Sequence, residues 1–430
     1  MIDINLIREN PELVKENIKK KFQDKKLPLV DEIIALDIKK RELQSEGDAR
    51  RAQRNTLAKS IGALMREGKK AEAEEAKRLS KENNDRIAVI EAESVQVETS
   101  LKTKMMSIPN IIADDVPLGK DDSQNVQGKV FLEAKEKPFE VPYHLDILES
   151  LGGIDLDAAR RTSGNGFYYL IGDVARLHSA VLTYARDFMI DKGFTYCIPP
   201  FMIRSDVVSG VMSFEEMEGM MYKIEGEDLY LIGTSEHSMI GRFMGEVLPE
   251  SSLPQTLTSY SPCFRKEKGA HGIEERGIYR IHQFEKQEMI VICKPEESES
   301  WYEKLWNYTV ELFVSMQIPV RQLICCSGDL ADLKYKSCDI EAWSPRQKKY
   351  FEVGSCSNLT DAQARRLGIR YKNSKTGKNE YAHTLNNTVV APPRMLIAFL
   401  ENHLQPDGSI FIPEVLRPYM GGKTQILPKK

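Results

Sequence analysis

Arg265, Lys266, Arg276, Arg280 and Lys286 surround Glu267 and Glu288 in one run, FRKEKGAHGIEERGIYRIHQFEKQE, from Phe264 to Glu288, with glycines at Gly269, Gly272 and Gly277. Strand, loop, strand is the simplest geometry for it. On an alternating strand Arg280, His282, Phe284, Lys286 and Glu288 share a face, so a cation, an aromatic ring and a carboxylate line one surface. That trio suits a nucleotide and an amine held together. Arginine fits where a carboxylate and a phosphate must lie side by side, because its planar fork makes paired, charge-assisted hydrogen bonds, and Arg265 is placed for this. Taken alone, the same residues also describe the solvated face of a β-hairpin.

Two further runs carry chemistry of the same kind. In HTLNNTVVAPPRMLIAFLEN, His383 to Asn402, two prolines and Arg394 open an apolar helix, and Arg394 is expected to meet phosphates. In DIEAWSPRQKKYFEVGSCSN, Asp339 to Asn358, two strands are joined by a turn. Glu352 and Ser355 offer oxygen ligands that suit Mg2+ held largely by ATP.

Five signatures then stand in order: TSE at Thr234 to Glu236, the FRKE run, the Glu352 strand, LNNT at Asn386, and PPRMLIAFLEN. In this set and order the chain resembles the class II seryl-tRNA synthetases. The resemblance covers essentially the whole chain, including the C-terminal IFIPEVLRPYMGG. It implies that Arg265 bridges the serine carboxylate and the α-phosphate. Phe284 stacks on adenine with Arg394 on the other face, and Glu267 touches the adenine edge. Arg280 and Arg394 hold the β- and γ-phosphates, while Glu352 and Ser355 carry Mg2+. Serine lies among Thr234, Glu236, Glu288, Asn386 and Thr388, with Glu288 as the selector. Groups built to pair with a hydroxyl are left unsatisfied by alanine, at about 1–3 kcal/mol each. No covalent nucleophile is needed, since positioning and charge neutralisation supply the rate. Ala270-His271 and Cys338 depart from the commonest bacterial members. The zinc-dependent minority form is disfavoured, because no Cys, Glu and Cys trio falls in the serine pocket.

These side chains need a rigid scaffold. From Val126 onward, amphipathic helices alternate irregularly with β-branched strands, without a regular βαβ repeat, which predicts a mainly antiparallel sheet flanked by helices. Val174, Leu177, Val181, Ala185 and Phe188 form the apolar stripe of a helix that stops at Gly193. FTYCI and Pro199-Pro200 follow, and this unit resembles the family's dimer-forming motif.

The N-terminal part reads differently. Asn10-Pro11 has the look of a helix start, with Leu13, Val14 and Ile18 on one side. Between Pro28 and Lys104 there is no proline, and long helices are the default. Ile87, Ile90, Ser94, Val97, Leu101, Lys104 and Ile108 fall at steps of three and four, a coiled-coil seam, answered by Ile33, Leu36, Leu43, Leu57, Ile61 and Leu64. The charged break Met65 to Lys70 reverses the chain, giving an antiparallel hairpin with legs of roughly 55 Å at about 1.5 Å per residue. Asp37 to Lys70 holds ten Lys or Arg against five Asp or Glu, so Arg50, Arg51, Arg54 and Lys59 are the expected tRNA phosphate contacts. A coiled coil with merely solvated faces would look similar.

The fold class expected is therefore α+β: a coiled-coil tRNA-binding domain over 1–106, a linker over 107–125 and a class II catalytic domain over 126–430. The formal charge of −4 excludes a uniformly basic surface but not a local basic patch. Seven scattered cysteines fit reduced thiols, and the charged N-terminus with no long apolar stretch predicts a cytoplasmic protein without a membrane anchor. His178, Trp343 and the Cys325-Cys326 pair are expected to be structural. The resemblance implies serine–tRNA ligase activity with ATP and Mg2+, acting on L-serine with tRNA(Ser) and tRNA(Sec), in a homodimer. The rival readings are a seryl-adenylate-forming paralogue serving antibiotic resistance or a non-tRNA acceptor, and a catalytically dead paralogue.

Overall fold

A computed structural model describes residues 1–267 and 277–429. The loop 268–276, with Ala270, His271 and Arg276, lies outside the described residues. Chain contacts divide the protein into two units: Ile2–Lys19 with Gln23–Ile108, and Met1 and Lys20–Phe22 with Pro109–Lys430.

The first unit is built on two long helices, Leu27–Arg66 and Lys70–Ser107, packed against each other. Ahead of them, Pro11 opens a short helix, and Asn10 caps it by accepting from the Leu13 backbone N–H at 3.2 Å. The reversal falls at the expected break, where Gly68 adopts a positive φ of 76°, a conformation glycine reaches without steric cost. Ile87, Ile90 and Leu101 are buried along the second helix, and the seam extends back through Asn83, Ala76 and Ala73.

On the first helix the seam departs from its apolar reading. Asp37 and Gly47 are buried with Val30, Ile33 and Leu43, whereas Leu36 is only partly covered. Asp37 is tolerated there because Arg8 donates to both its oxygens, at 2.8 and 2.6 Å. Gly47 weakens the helix by about 0.5–1 kcal/mol relative to alanine. A Cβ there would lie 3.2 Å from the Arg51 guanidinium and 3.5 Å from Ile90. Polar ties lace the pair across its length: Arg86 donates to both oxygens of Glu46 at 2.8 and 2.7 Å, and the Asn83 amide donates to the Arg50 carbonyl at 3.0 Å.

The second unit is centred on an eight-stranded sheet. In chain order its strands are β1 (Val126–Phe131), β2 (Thr195–Cys197), β3 (Gln255–Phe264), β4 (Gln283–Cys293), β5 (Val320–Ile324), β6 (Lys336–Ser344), β7 (Lys349–Asn358) and β8 (His383–Val390). Their spatial order is β1-β5-β6-β7-β8-β4-β3-β2. Every pairing is antiparallel except β2 with β3. Helices Gly172–Asp191, Ser298–Ser315 and Pro392–His403 bury their apolar faces in one cluster with the sheet. Val174, Leu177, Val181 and Ala185 are buried as expected, and Gly193 beyond that helix has a φ of 87°.

The stretch read as a linker is well packed. Ile112, Ala113 and Val116 form a small cluster with Cys325 and Leu330, and Gly119 leaves no room for a Cβ against the Cys326 side chain, 2.7 Å away. His178 is buried within its helix, 3.3 Å from Glu285, and Trp343 donates to the Lys135 carbonyl at 3.3 Å.

Candidate active site

The centre of the sheet carries the predicted residues into two adjoining cavities. The first, about 320 Å³, is lined by Arg265, Glu267, Tyr279, Arg280, Phe284, Glu352 and Arg394, among others. The second, about 290 Å³, is lined by Thr234, Glu236, Glu288, Ser355, Asn386 and Thr388. Arg265, Lys286, Glu352 and Thr388 line both.

Strand β4 supplies the alternation only in part. Phe284, Lys286 and Glu288 do face one way into the cavities. Arg280 and His282 precede the strand, so the expectation that five residues share a strand face is corrected to three. Arg280 instead reaches Glu267, donating to its carboxylate at 3.0 Å, and His282 contacts the Arg265 carbonyl at 3.0 Å. Glu267 holds a positive φ of 46°, uncommon for a residue with a Cβ.

Glu352 and Ser355 are an odd number of residues apart, which on a regular strand would place them on opposite faces. The register of β6 against β7 shifts here: Ile340 pairs with Gly354 and Glu341 with Glu352, leaving Val353 as an extra residue. This β-bulge resets the alternation. Val353 and Cys356 turn into the core, and Glu352 and Ser355 both reach the second cavity. A second register shift between Thr388 and Val390 on β8 follows the pairing of Thr388 with Glu288.

The electrostatics are those of a crowded ionic site. Lys286 pairs with Glu288 at 2.6 Å, both buried. Glu236 accepts from the Gln363 amide at 2.8 Å and from the Asn386 amide; burial and the nearby Glu288 push its carboxyl up to about 7. His237 is driven down to about 3 by burial, Arg265 and Lys286, so it is neutral. Arg265 donates to the Gly233 carbonyl at 3.1 Å and lies over Phe284, 5.2 Å from its ring centre. Arg394 lies over Tyr279 at 4.7 Å and donates to Glu352 at 2.6 Å. The ring beneath Arg394 is thus Tyr279, whereas Phe284 has Arg265 above it.

Asp339 pairs across the strands with Ser355. Burial and Glu352 push its carboxyl up to about 7, the mark of two carboxyl groups held close together beside Ser355. An all-oxygen set with excess negative charge fits Mg2+. Sequence reasoning missed Tyr279, Gln363 and Asp339 as participants, and gave Lys286 a place on the strand face without a role of its own. Lys286 was legible as part of the alternating row, but nothing in the sequence around Gln363 marks it.

In the helical unit Arg50 and Arg51 are partly engaged, with Glu46 at 3.7 Å and Asp48 at 2.7 Å. Arg54 and Lys59 are exposed and make no ion pair among the described residues.

Known proteins share this architecture. Residues 1–112 match the family described as seryl-tRNA synthetase N-terminal domain, and residues 220–403 match the tRNA synthetase class II core domain (G, H, P, S and T). The serine–tRNA ligase of Pyrococcus horikoshii is 42% identical over 448 aligned residues, covering 100% of this chain and 98% of the relative. The chain belongs to the seryl-tRNA synthetase family. A solved structure of the P. horikoshii seryl-tRNA synthetase complexed with ATP superposes with a TM-score of 0.94 at 40% identity, covering 100% of both chains. The cytoplasmic serine–tRNA ligase from Naegleria fowleri in complex with AMP gives a TM-score of 0.88 at 31% identity, covering 100% of this chain and 99% of that one. Full-length membership of the seryl-tRNA synthetases disfavours the readings in which tRNA charging has been lost. Among the described residues no helix is long and apolar enough to cross a membrane.

Proposed function

We propose that the protein activates L-serine with ATP to seryl-adenylate and transfers serine to tRNA(Ser), and to tRNA(Sec) where that acceptor occurs. The observation that carries this reading is the shared wall between the two cavities, Arg265, Lys286, Glu352 and Thr388. Adenylation requires a carboxylate oxygen of serine to meet the α-phosphorus of ATP, and the boundary of an amino-acid cavity with a nucleotide cavity is where these atoms converge. The carboxylate forms the new P–O bond while pyrophosphate leaves with the electron pair of the old one. The terminal ribose hydroxyl of tRNA then attacks the adenylate carbonyl and AMP departs.

In this reading Arg265 spans carboxylate and α-phosphate, and the Phe284 ring carries the adenine, whose edge meets Glu267. Arg280 and Arg394 release their carboxylate partners to take the β- and γ-phosphates. Glu352 and Ser355 would hold Mg2+, which would neutralise phosphate charge there. Glu236 and Glu288 receive the serine ammonium, and Asn386, Thr234 and Thr388 complete the polar lining. The protein works as a cytoplasmic homodimer, with a tRNA-binding domain over 1–106, a connecting segment over 107–125 and the catalytic domain over 126–430. Pyrophosphate exchange run across all twenty amino acids, followed by charging of total tRNA, tests the whole assignment. Serine alone should drive exchange strongly, and only serine acceptors should be charged; exchange without serine dependence would sink it.

The Glu236 carboxyl, pushed up to about 7, adds a pH prediction. An acid raised in this way is neutral below its pKa and loses its hold on the serine ammonium there. Because kcat/KM reports groups of the free enzyme, serine kcat/KM in exchange should fall as pH drops below about 7, approaching tenfold per pH unit. Glu236→Gln should flatten that limb at a lower plateau; a flat profile in the unmodified protein would refute the role.

A further inference from the structure

Four described residues stand on the wall shared by the two cavities. In the serine-activation reading three of them have tasks: Arg265 spans carboxylate and α-phosphate, Glu352 is a metal ligand, and Thr388 belongs to the polar lining. The fourth, Lys286, is a cation only 6% exposed. Its ammonium lies 2.6 Å from a carboxylate oxygen of Glu288, and its charge also reaches Glu236 and His237. Strand β4 is paired on both sides here, with Ser261 opposite Lys286 and with Ser259 and Thr388 opposite Glu288. The backbone is therefore held, whereas the lysine stem is a flexible chain of carbons carrying three donors at its end.

The two members of this pair differ in reach. Glu288 lines the amino-acid cavity alone, while Lys286 lines that cavity and the nucleotide cavity. In the free protein each neutralises the other. Serine brings both signs: an ammonium, which takes Glu288, and a carboxylate, which must meet the α-phosphorus at the shared wall. Once the ammonium occupies Glu288, the Lys286 charge has lost its partner, and an uncompensated buried charge is costly. The anions arriving at the same wall are the serine carboxylate and the α-phosphate, which repel each other as the P–O bond forms. A cation already fixed at that boundary offsets the repulsion without rearranging solvent.

We propose that Lys286 is a catalytic residue whose ammonium, displaced from Glu288 by the serine ammonium, moves onto the reacting carboxylate and α-phosphate oxygens; the inference rests on the serine-activation reading above. The lysine stays protonated throughout. The serine carboxylate supplies the electron pair of the new P–O bond and pyrophosphate leaves with that of the old one, so no proton moves. The other task open to Lys286 is static, as a counter-ion that holds Glu288 in place. The two roles have opposite consequences for serine binding: losing a static counter-ion weakens it, whereas losing a competitor for Glu288 does not.

The experiment compares the unmodified protein with Lys286→Met and Lys286→Arg, by pyrophosphate exchange and by calorimetric titration with serine in the absence of ATP. Exchange by the unmodified protein that does not depend on serine would overturn the activation reading and this proposal with it. Normal serine dependence leaves the variants to decide on Lys286 alone. In Lys286→Met, kcat for exchange should fall about a hundredfold to a thousandfold, the scale of one lost donor to charge developing in a transition state. Serine affinity should tighten or stay within about threefold of the unmodified protein, the split that marks an interaction made in the transition state. Lys286→Arg, which keeps the charge, should recover part of the lost kcat. Serine affinity weakened beyond that range would make Lys286 a static counter-ion and overturn the proposal, as would a kcat lowered by less than about tenfold. Thermal melts with ATP accompany each variant, and failure of both to fold assigns the Lys286–Glu288 pair to the scaffold and also overturns it.

Discussion

Glu288→Ala should remove serine-dependent pyrophosphate exchange to below detection while leaving ATP binding within about threefold of the unmodified protein. The size of the effect follows from burial. Glu288 is 1% exposed and pairs with Lys286 at 2.6 Å. Removing one partner of a buried pair leaves the other charge uncompensated, so the Lys286 ammonium would stand unpaired in the serine cavity. In the proposed complex the same substitution also removes a carboxylate from the serine ammonium. The nucleotide cavity loses nothing directly, because Glu288 lines only the neighbouring one. Nucleotide binding followed by calorimetry and exchange with labelled pyrophosphate separate the two effects. More than a tenth of normal exchange (about 1.4 kcal/mol) would remove Glu288 from the serine site.

Replacing 44–92 by a short Gly-Ser connection should spare exchange within about twofold yet lower charging of serine tRNA by about a hundredfold or more, with RNA shape as the thing lost. The structure sets the cut. Asp37 must stay, because it is bound by Arg8, and the Lys40–Glu98 pair at 3.1 Å closes the base of the two helices. The removed segment contains Arg50, Arg51, Arg54 and Lys59. Phosphate contacts by such residues make affinity salt-dependent, so residual charging by the shortened protein should also respond less steeply to salt. Undiminished charging would refute a role for the helical pair in acceptor binding.

How far the sequence is legible depends on the kind of interaction. The two long helices were readable to within about three residues, because proline absence and seven-residue seams are local properties. The buried Asp37 and Gly47 were not, since one depends on Arg8 and the other is covered by the Arg51 side chain of its own helix and by Ile90 of the facing one. The sheet class followed from irregular strand spacing. Arg280 and His282 were misplaced on β4 because alternation cannot reveal where a strand begins. The site residues were legible as motifs, yet their pairings were not. Arg394 over Tyr279 and Gln363 on Glu236 are long-range contacts with no periodic signature.

The bulge at Val353 gives the site an uneven tolerance to evolutionary change. Glu352 and Ser355 face the same cavity only because one surplus residue stands between them, and side chains alternate along a strand whatever their identity. Point substitution can alter either group but cannot send them to opposite sides. Deleting a single residue from this stretch would swing one of the two into the apolar core, so length, more than composition, is what drift cannot vary here.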